Sequence, residues 1–148
     1  YLSFIDELTK IYGQRITLTL HPAESENKEE AENFSKNLFA RLVKYIKEKN
    51  YDMDLCIENL NILHGLDRLA IVEVWNILKD IKELNFTHDI GHEIIDNKNY
   101  SKLYDEMLSR LRNVHIHNFK GEKDHYPIRK TATIILNSFR NEYNFVKY

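Results

Sequence analysis

At 148 residues the chain has the length of one ordinary domain, and 43% hydrophobic with 30% charged residues is the balance of a soluble globular protein able to bury a core. A formal net charge of -2 excludes a general basic field for a polyphosphate partner, and no apolar run approaches the roughly 20 residues that span a bilayer. The single cysteine, Cys56, lies in an apolar run, so no disulfide framework exists; it reads as a buried thiol rather than a nucleophile and favours a reducing, cytoplasmic compartment.

The chain begins at Tyr1 without an initiating Met or the basic segment of a secretory signal. From Tyr1 to Gly13, Leu2, Ile5, Leu8 and Ile11 recur at a helical period and Gly13 supplies the stop. Ile16 to Leu20 is a β-branched strand that runs into His21-Pro22. Asn27 to Asn50 is a long amphipathic helix, acidic at its start (Glu29, Glu30, Glu32) and basic towards its end (Lys44, Lys47, Lys49), as the helix dipole prefers. A second strand follows at Asp54 to Glu58, then helix signals from Asp67 to Leu84 and a short strand from Asn85 to Asp89. Asn99 to Leu111 reads as a helix, Val114 to His117 as a fourth strand, and Thr131 to Tyr143 as the last helix. Phe145 to Tyr148 reads as the start of a fifth strand, so both ends cut through secondary structure and a fragment of a larger protein is expected.

Strands that alternate with helices in this way predict a parallel sheet with crossover helices. With strand ends at His21, Glu58, Asp89 and His115, the intervals are 37, 31 and 26 residues. A (β/α)8 barrel of about 250 residues divides into units of roughly 31, so the chain fits a little over half of one. A complete doubly wound sheet is the alternative.

The polar residues fall where such a fold places its site. His21 ends the first strand, Glu58 the second, Asp89 with His92 the third, and His115 or His117 lies in the fourth. The C-terminal strand ends form the active face of parallel α/β folds. One buried carboxylate or imidazole there is commonly a satisfied structural group, but four consecutive strands carrying one is a pattern. Carboxylates mixed with imidazoles suit Zn, Mn, Co or Ni, with Mg less natural. The pair His88 and His92 has the spacing of a zincin motif, but Asp89 replaces its Glu and Gly91 stands where that motif requires a helix. His64 reads as a solvated or capping loop residue, and GEKDHYPIRK taken alone as a charged loop. Phe139, Tyr143 and Phe145 read as core, and neither a Gly-rich phosphate loop nor a nucleophile elbow is present.

Four stretches, HPAE, CIENL, HDIGH and VHIHNFKGEKDHYPI, in this order and at these intervals, resemble the xylose isomerase-like TIM-barrel superfamily. That superfamily holds sugar phosphate isomerases and epimerases and the endonuclease IV type of AP endonuclease (AP endonuclease family 2). The resemblance covers essentially the whole chain and implies a partial (β/α)8 TIM barrel, strands four to seven with the start of strand eight, in one partial domain over residues 1–148. It implies that Glu58 is a metal ligand and the catalytic proton-transfer group, and that Asp89 and His115 are metal ligands. His92, His21 and His125 are implied as substrate-contacting residues, and His117 competes with His115 for its role. The family's Asp-x-His element departs here, since Asp124 adjoins His125 and position 123 is Lys, which speaks against a trinuclear zinc cluster. The Glu of the family's eighth strand has no counterpart up to Tyr148.

The activity so implied is isomerisation or epimerisation of a sugar or sugar phosphate by proton transfer through an enediolate, with a divalent cofactor, Mn, Zn or Co before Mg. The alternative is zinc-dependent cleavage of abasic DNA, which would require a nucleic-acid partner that the near-neutral charge does not favour. A third class is a metal-free binding or structural barrel, to which the drifted spacing in KDHYPI points. No membrane partner is expected, and a homo-oligomer stays open.

Overall fold

The structure is a computed structural model that describes residues 1–60, 69–92, 107–120 and 123–126, the stretches 118–120 and 123–126 by their backbone alone. The first helix, α1 (Leu2–Tyr12), is closed by Gly13 at φ 64°, a left-handed position that glycine takes without strain. Asp6 fastens it to the sheet side, accepting from the Asp52 backbone N–H at 2.9 Å while pairing with Lys10 one turn on. The strand β1 (Ile16–Leu20) leads into the loop of His21, which Ser35 steadies by accepting the Ala23 N–H at 2.8 Å.

The long helix α2 (Lys28–Glu48) starts where the acidic run begins, because Asn27 caps it by accepting from the N–H groups of Glu29 and Glu30. Its buried stripe is Ala31, Ser35, Phe39, Val43 and Ile46, one residue per turn. Then come β2 (Met53–Glu58), α3 (Ile71–Asp80) and β3 (Asn85–Asp89). Residues 90–92 are helical, so the chain turns into a helix directly after the third strand end. A short 3-10 turn (Leu108–Arg110) precedes β4 (Leu111–His115), and a small antiparallel hairpin of β5 (Asn118–Lys120) and β6 (Lys123–Tyr126) follows.

β1, β2, β3 and β4 pair in sequence order and all in parallel, each linked to the next across a crossover. The side-chain alternation of a strand then splits the sheet into two chemical faces. Leu18, Leu20, Met53, Leu55, Ile57 and Phe86 point to the helices and join Phe39, Val43, Val74, Ile77 and Leu78 in one core. The other face carries Thr19, Asp54, Cys56, Glu58, Thr87, Asp89, Asn113 and His115. Thr19 and Thr87 meet on it at 2.7 Å between their hydroxyls, although β2 runs between their strands. Strands two apart in a flat sheet lie roughly 9.6 Å from each other, so this contact requires a strongly curled sheet. The result is a curled half-barrel with a polar concave face and helices outside, the partial TIM barrel expected from the alternation rather than the doubly wound alternative.

Some boundaries move. β4 begins at Leu111 and ends at His115, where Val114 to His117 was expected, because the register that places Phe86 opposite Leu111 and Asp89 opposite His115 recruits the polar Arg112 and Asn113 into the strand. Leu111 therefore ends the preceding helix signal as strand. The third helix is shorter than its apolar pattern, since Ile81 is extended and residues 81–84 form a tight turn. Arg110 holds that turn, its guanidinium donating to the carbonyls of Ile81 and Leu84 at 2.6 Å each. The charged loop read at GEKDHYPIRK contains half of a hairpin. The expected last helix, Thr131 to Tyr143, and the strand start at Phe145 to Tyr148 lie outside the described residues, as do His64 and most of Asn99 to Leu111. Among the described residues, no helix is long and apolar enough to cross a membrane.

Candidate metal centre

Three consecutive strands end in ligand-type side chains on the concave face, and the parallel register aligns those ends. Glu58 closes β2, Asp89 closes β3 and His115 closes β4. His115 Nδ1 is 2.9 Å from Glu58 Oε1 and 3.9 Å from Asp89 Oδ2, and one ligand atom from each of the three lies within 4.8 Å of the others. Asn113 Nδ2 donates to His115 Nε2 at 3.2 Å, so Nδ1 bears the ring hydrogen towards Glu58. A cation taking that place would displace the hydrogen.

The two carboxylates are almost wholly buried, Glu58 at 3% and Asp89 at 0% exposure, which is costly for charged groups unless partners compensate. Asp89 Oδ1 has two partners, the His92 backbone N–H at 2.9 Å and His117 Nε2 at 2.9 Å. Asp89 Oδ2 accepts no hydrogen bond among the described residues, while His92 Nδ1 stands 3.6 Å away. Burial pushes the Asp89 carboxyl up, but the His117 contact and the charges of His92 and His117 outweigh it and hold the group at about 2. The carboxylate is therefore ionised at every ordinary pH, and one oxygen faces Glu58 and His115 without a donor. That vacancy in its hydrogen bonding, with a mixed carboxylate and imidazole set, fits a borderline divalent ion.

Asn59, the residue after Glu58, organises the next strand end. Its side chain donates to the Asp89 carbonyl at 2.9 Å and accepts the Asp89 N–H at 2.8 Å, taking the place of a peptide group beyond the last β2–β3 pair. Its own carbonyl accepts from His92 Nδ1 at 2.9 Å, which fixes the tautomer and plane of that imidazole. In the sequence Asn59 is only one residue of the CIENL stretch, and no local signal assigns it this task.

The other expected site residues take different places. His21 is on the open side, its side chain 60% exposed, with Nε2 3.5 Å from Glu58 Oε2. His92 is buried against Glu58 and Asp89, with Nδ1 4.0 Å from Glu58 Oε1. His117 lies past the end of β4, buried against Asp89 and edge-on to His92 at 5.1 Å between ring centroids. Asp89, His92 and His117 thus make a second compact group of ligand atoms. His125 sits on β6, and its side chain lies outside the described residues. His88 adjoins Asp89 in sequence but points to the opposite face, stacked on Phe86 at 5.7 Å. The His88 and His92 spacing therefore builds no joint site, although the helix that the motif would need does start at residue 90. Cys56 is on the concave face but burial pushes its thiol up to about 11, against the opposing Thr87 hydrogen bond, so it offers no thiolate.

No family model matches the chain, and no curated protein does. Among solved structures, the crystal structure of a D-tagatose 3-epimerase-like protein superposes with a TM-score of 0.60 at 22% identity, over 80% of this chain and 46% of that one. The chain spans just under half of that protein's length. The likeness is one of fold alone and agrees with the curled parallel sheet described above.

Proposed function

We propose that the chain is part of a divalent-metal-dependent sugar isomerase or epimerase, acting on a sugar or sugar phosphate by proton transfer next to a carbonyl. In this reading residues 1–148 form one partial barrel domain, and Glu58, Asp89 and His115 hold the ion. The observation that carries it is the convergence of those three side chains at consecutive strand ends, with Asp89 Oδ2 buried and lacking a donor among the described residues. When bound, the ion supplies positive charge that polarises a substrate carbonyl and acidifies the neighbouring C–H.

The chain's own residues then have separate tasks. Glu58 is the proton-transfer group: Oε1 is engaged by His115 Nδ1 at 2.9 Å, while Oε2 faces the exposed His21 imidazole at 3.5 Å. A substrate carbon presented on that open side gives its proton to Oε2, leaving an enediolate, and Oε2 returns the proton to the neighbouring carbon on the same face, the isomerase outcome; inversion at the first carbon would take its proton from a second acid on the opposite face, a role assigned to none of the described residues. His21 orients the substrate and the carboxylate. His92 and His125 complete the substrate contacts in this assignment. The structural neighbour, a D-tagatose 3-epimerase-like protein, supports a ketose epimerised at C3 as the first substrate class to try, ahead of abasic DNA.

The test is metal stoichiometry beside solvent exchange. Cobalt or manganese should bind near one per chain, and Glu58→Gln, Asp89→Asn and His115→Gln should each lower occupancy. In D2O, a panel of ketoses and ketose phosphates should gain deuterium at the carbon next to the carbonyl. Exchange that persists in the Glu58→Gln protein, or occupancy indifferent to all three changes, removes this reading. Incision of an abasic oligonucleotide without sugar exchange would replace it.

A further inference from the structure

His117 lies outside the three-residue centre, yet the fold goes to some length to seat it. Its ring covers Gly91 so closely that a Cβ on that residue would stand 2.3 Å from Cε1, 2.5 Å from Nε2 and 2.6 Å from Nδ1, far inside any real contact. The ring is buried, and its Nε2 reaches Asp89 Oδ1 at 2.9 Å. The same oxygen accepts the His92 N–H at 2.9 Å, so the His117 contact is an ion-pair approach beside that hydrogen bond. Two partners on Oδ1 rotate the carboxyl so that Oδ2, which accepts nothing among the described residues, is the oxygen 3.9 Å from His115 Nδ1. One residue, Gly91, creates the room; one, His117, uses it to aim a third.

We propose that His117 is a positioning residue that acts through Asp89: seated on Gly91, it occupies Oδ1 and turns Oδ2 towards Glu58 and His115 as a single-oxygen ligand. The proposal deepens the metal-dependent reading and rests on it. The absence of a side chain at position 91 is then a requirement of the site and not of the turn. A carboxylate free to rotate could offer either oxygen or both, and the cation it holds would sit in a looser field. Residues that orient a ligand in this way typically alter metal affinity by roughly 10- to 100-fold when removed.

Cobalt(II) titration of the full chain, followed by visible absorption and by bound metal per chain, tests this. His117→Ala should keep the stoichiometry at about one, weaken binding by roughly 10- to 100-fold and change the cobalt ligand-field spectrum. His117→Gln retains a donor for Oδ1 and should recover most of the affinity. Gly91→Ala leaves every polar group in place, so a comparable loss there shows that seating the ring is what matters; circular dichroism checks that each variant folds. Unchanged affinity and spectrum in both His117→Ala and Gly91→Ala would overturn the proposal. So would two cobalt ions in the native protein falling to one in His117→Ala, because His117 would then be a ligand of a second ion in the Asp89, His92 and His117 group. A native protein that binds no cobalt would instead bring down the metal-dependent reading, and this proposal with it.

Discussion

Asn59 is the position where a single substitution separates the geometry of the centre from its chemistry. The Asn59 amide makes two hydrogen bonds to the Asp89 backbone, at 2.8 and 2.9 Å, in a place with 1% exposure. Asn59→Leu keeps the approximate shape but leaves the Asp89 N–H and carbonyl unpaired. Each buried group so abandoned costs about 1–3 kcal/mol, and burying the leucine returns part of it, for a net loss of roughly 2–4 kcal/mol. Against the 5–15 kcal/mol by which domains are ordinarily stable, this is a large fraction. Equilibrium urea unfolding in the presence of a chelator measures it without any contribution from bound metal.

Asn59→Asp refines the same test. The introduced carboxylate still accepts the Asp89 N–H, but it has no donor for the Asp89 carbonyl and it adds a negative charge beside Glu58 and Asp89. Once protonated it can donate again. Burial and its acidic neighbours raise the folded-state pKa of such a group above its unfolded value, so the deficit against native protein should be small at low pH. It should grow as pH rises from the unfolded value and level off above the folded one. Two outcomes would refute the argument: a loss under 1 kcal/mol in Asn59→Leu, or a pH-independent deficit in Asn59→Asp. Either would mean that Asp89 is held by something other than the Asn59 clip.

Arg110→Met should lower stability by about 1–3 kcal/mol, read as a shift of the urea midpoint, because the guanidinium satisfies the Ile81 and Leu84 carbonyls behind α3; a shift within error would assign those carbonyls to water. Cys56, its thiol pushed up to about 11 by burial, should resist a thiol reagent at pH 8 until denaturant unfolds the chain, and rapid labelling of native protein would contradict its burial. Asp89, held at about 2 against an ordinary 3.8, contributes stability that is fully present above the ordinary value and is lost as pH falls from about 4 to 2. The full amount is about 2 kcal/mol, of which roughly two thirds is lost between pH 5 and 2.5, so metal-free native protein should lose about 1.5 kcal/mol more than Asp89→Asn over that range; parallel pH profiles would show that Asp89 is not selectively stabilised as the anion.

The layout of the fold was legible because it depends on periodicities that survive in one dimension. Apolar residues at a helical spacing marked α1 and α2, the β-branched run Ile16 to Leu20 marked β1, and short segments between helix signals marked β2 and β3, with the alternation of strands and helices implying parallel pairing. The start of β4 was not legible. Arg112 and Asn113 have no strand character of their own and enter the sheet because β3 lies beside them with Asp89 opposite His115. The hairpin of β5 and β6 was hidden for a related reason: its strands are only three and four residues long, and Lys123 to His125 are all polar, which leaves no alternation to detect.

The candidate centre shows where such legibility stops. Strand-end positions could be named from sequence because the pleat sends residues two apart to one face, so His21, Glu58, Asp89 and His115 were all assignable once the strands were placed. The same rule separates His88 from Asp89, neighbours in the chain whose side chains occupy opposite sides of β3, one stacked on Phe86 and one in the centre. A slip of one residue in that strand would exchange a buried carboxylate for a core ring. What fixes the register against such a slip is a contact from 30 residues away, the Asn59 amide on the Asp89 backbone, and what turns the carboxyl afterwards is His117 from the far side. Neither has a local signature, since an asparagine in a loop and a histidine past a strand look alike whether they are solvated or buried. The strand-end positions belong to the pattern of the fold, while the orientation of their side chains belongs to pairings between distant segments.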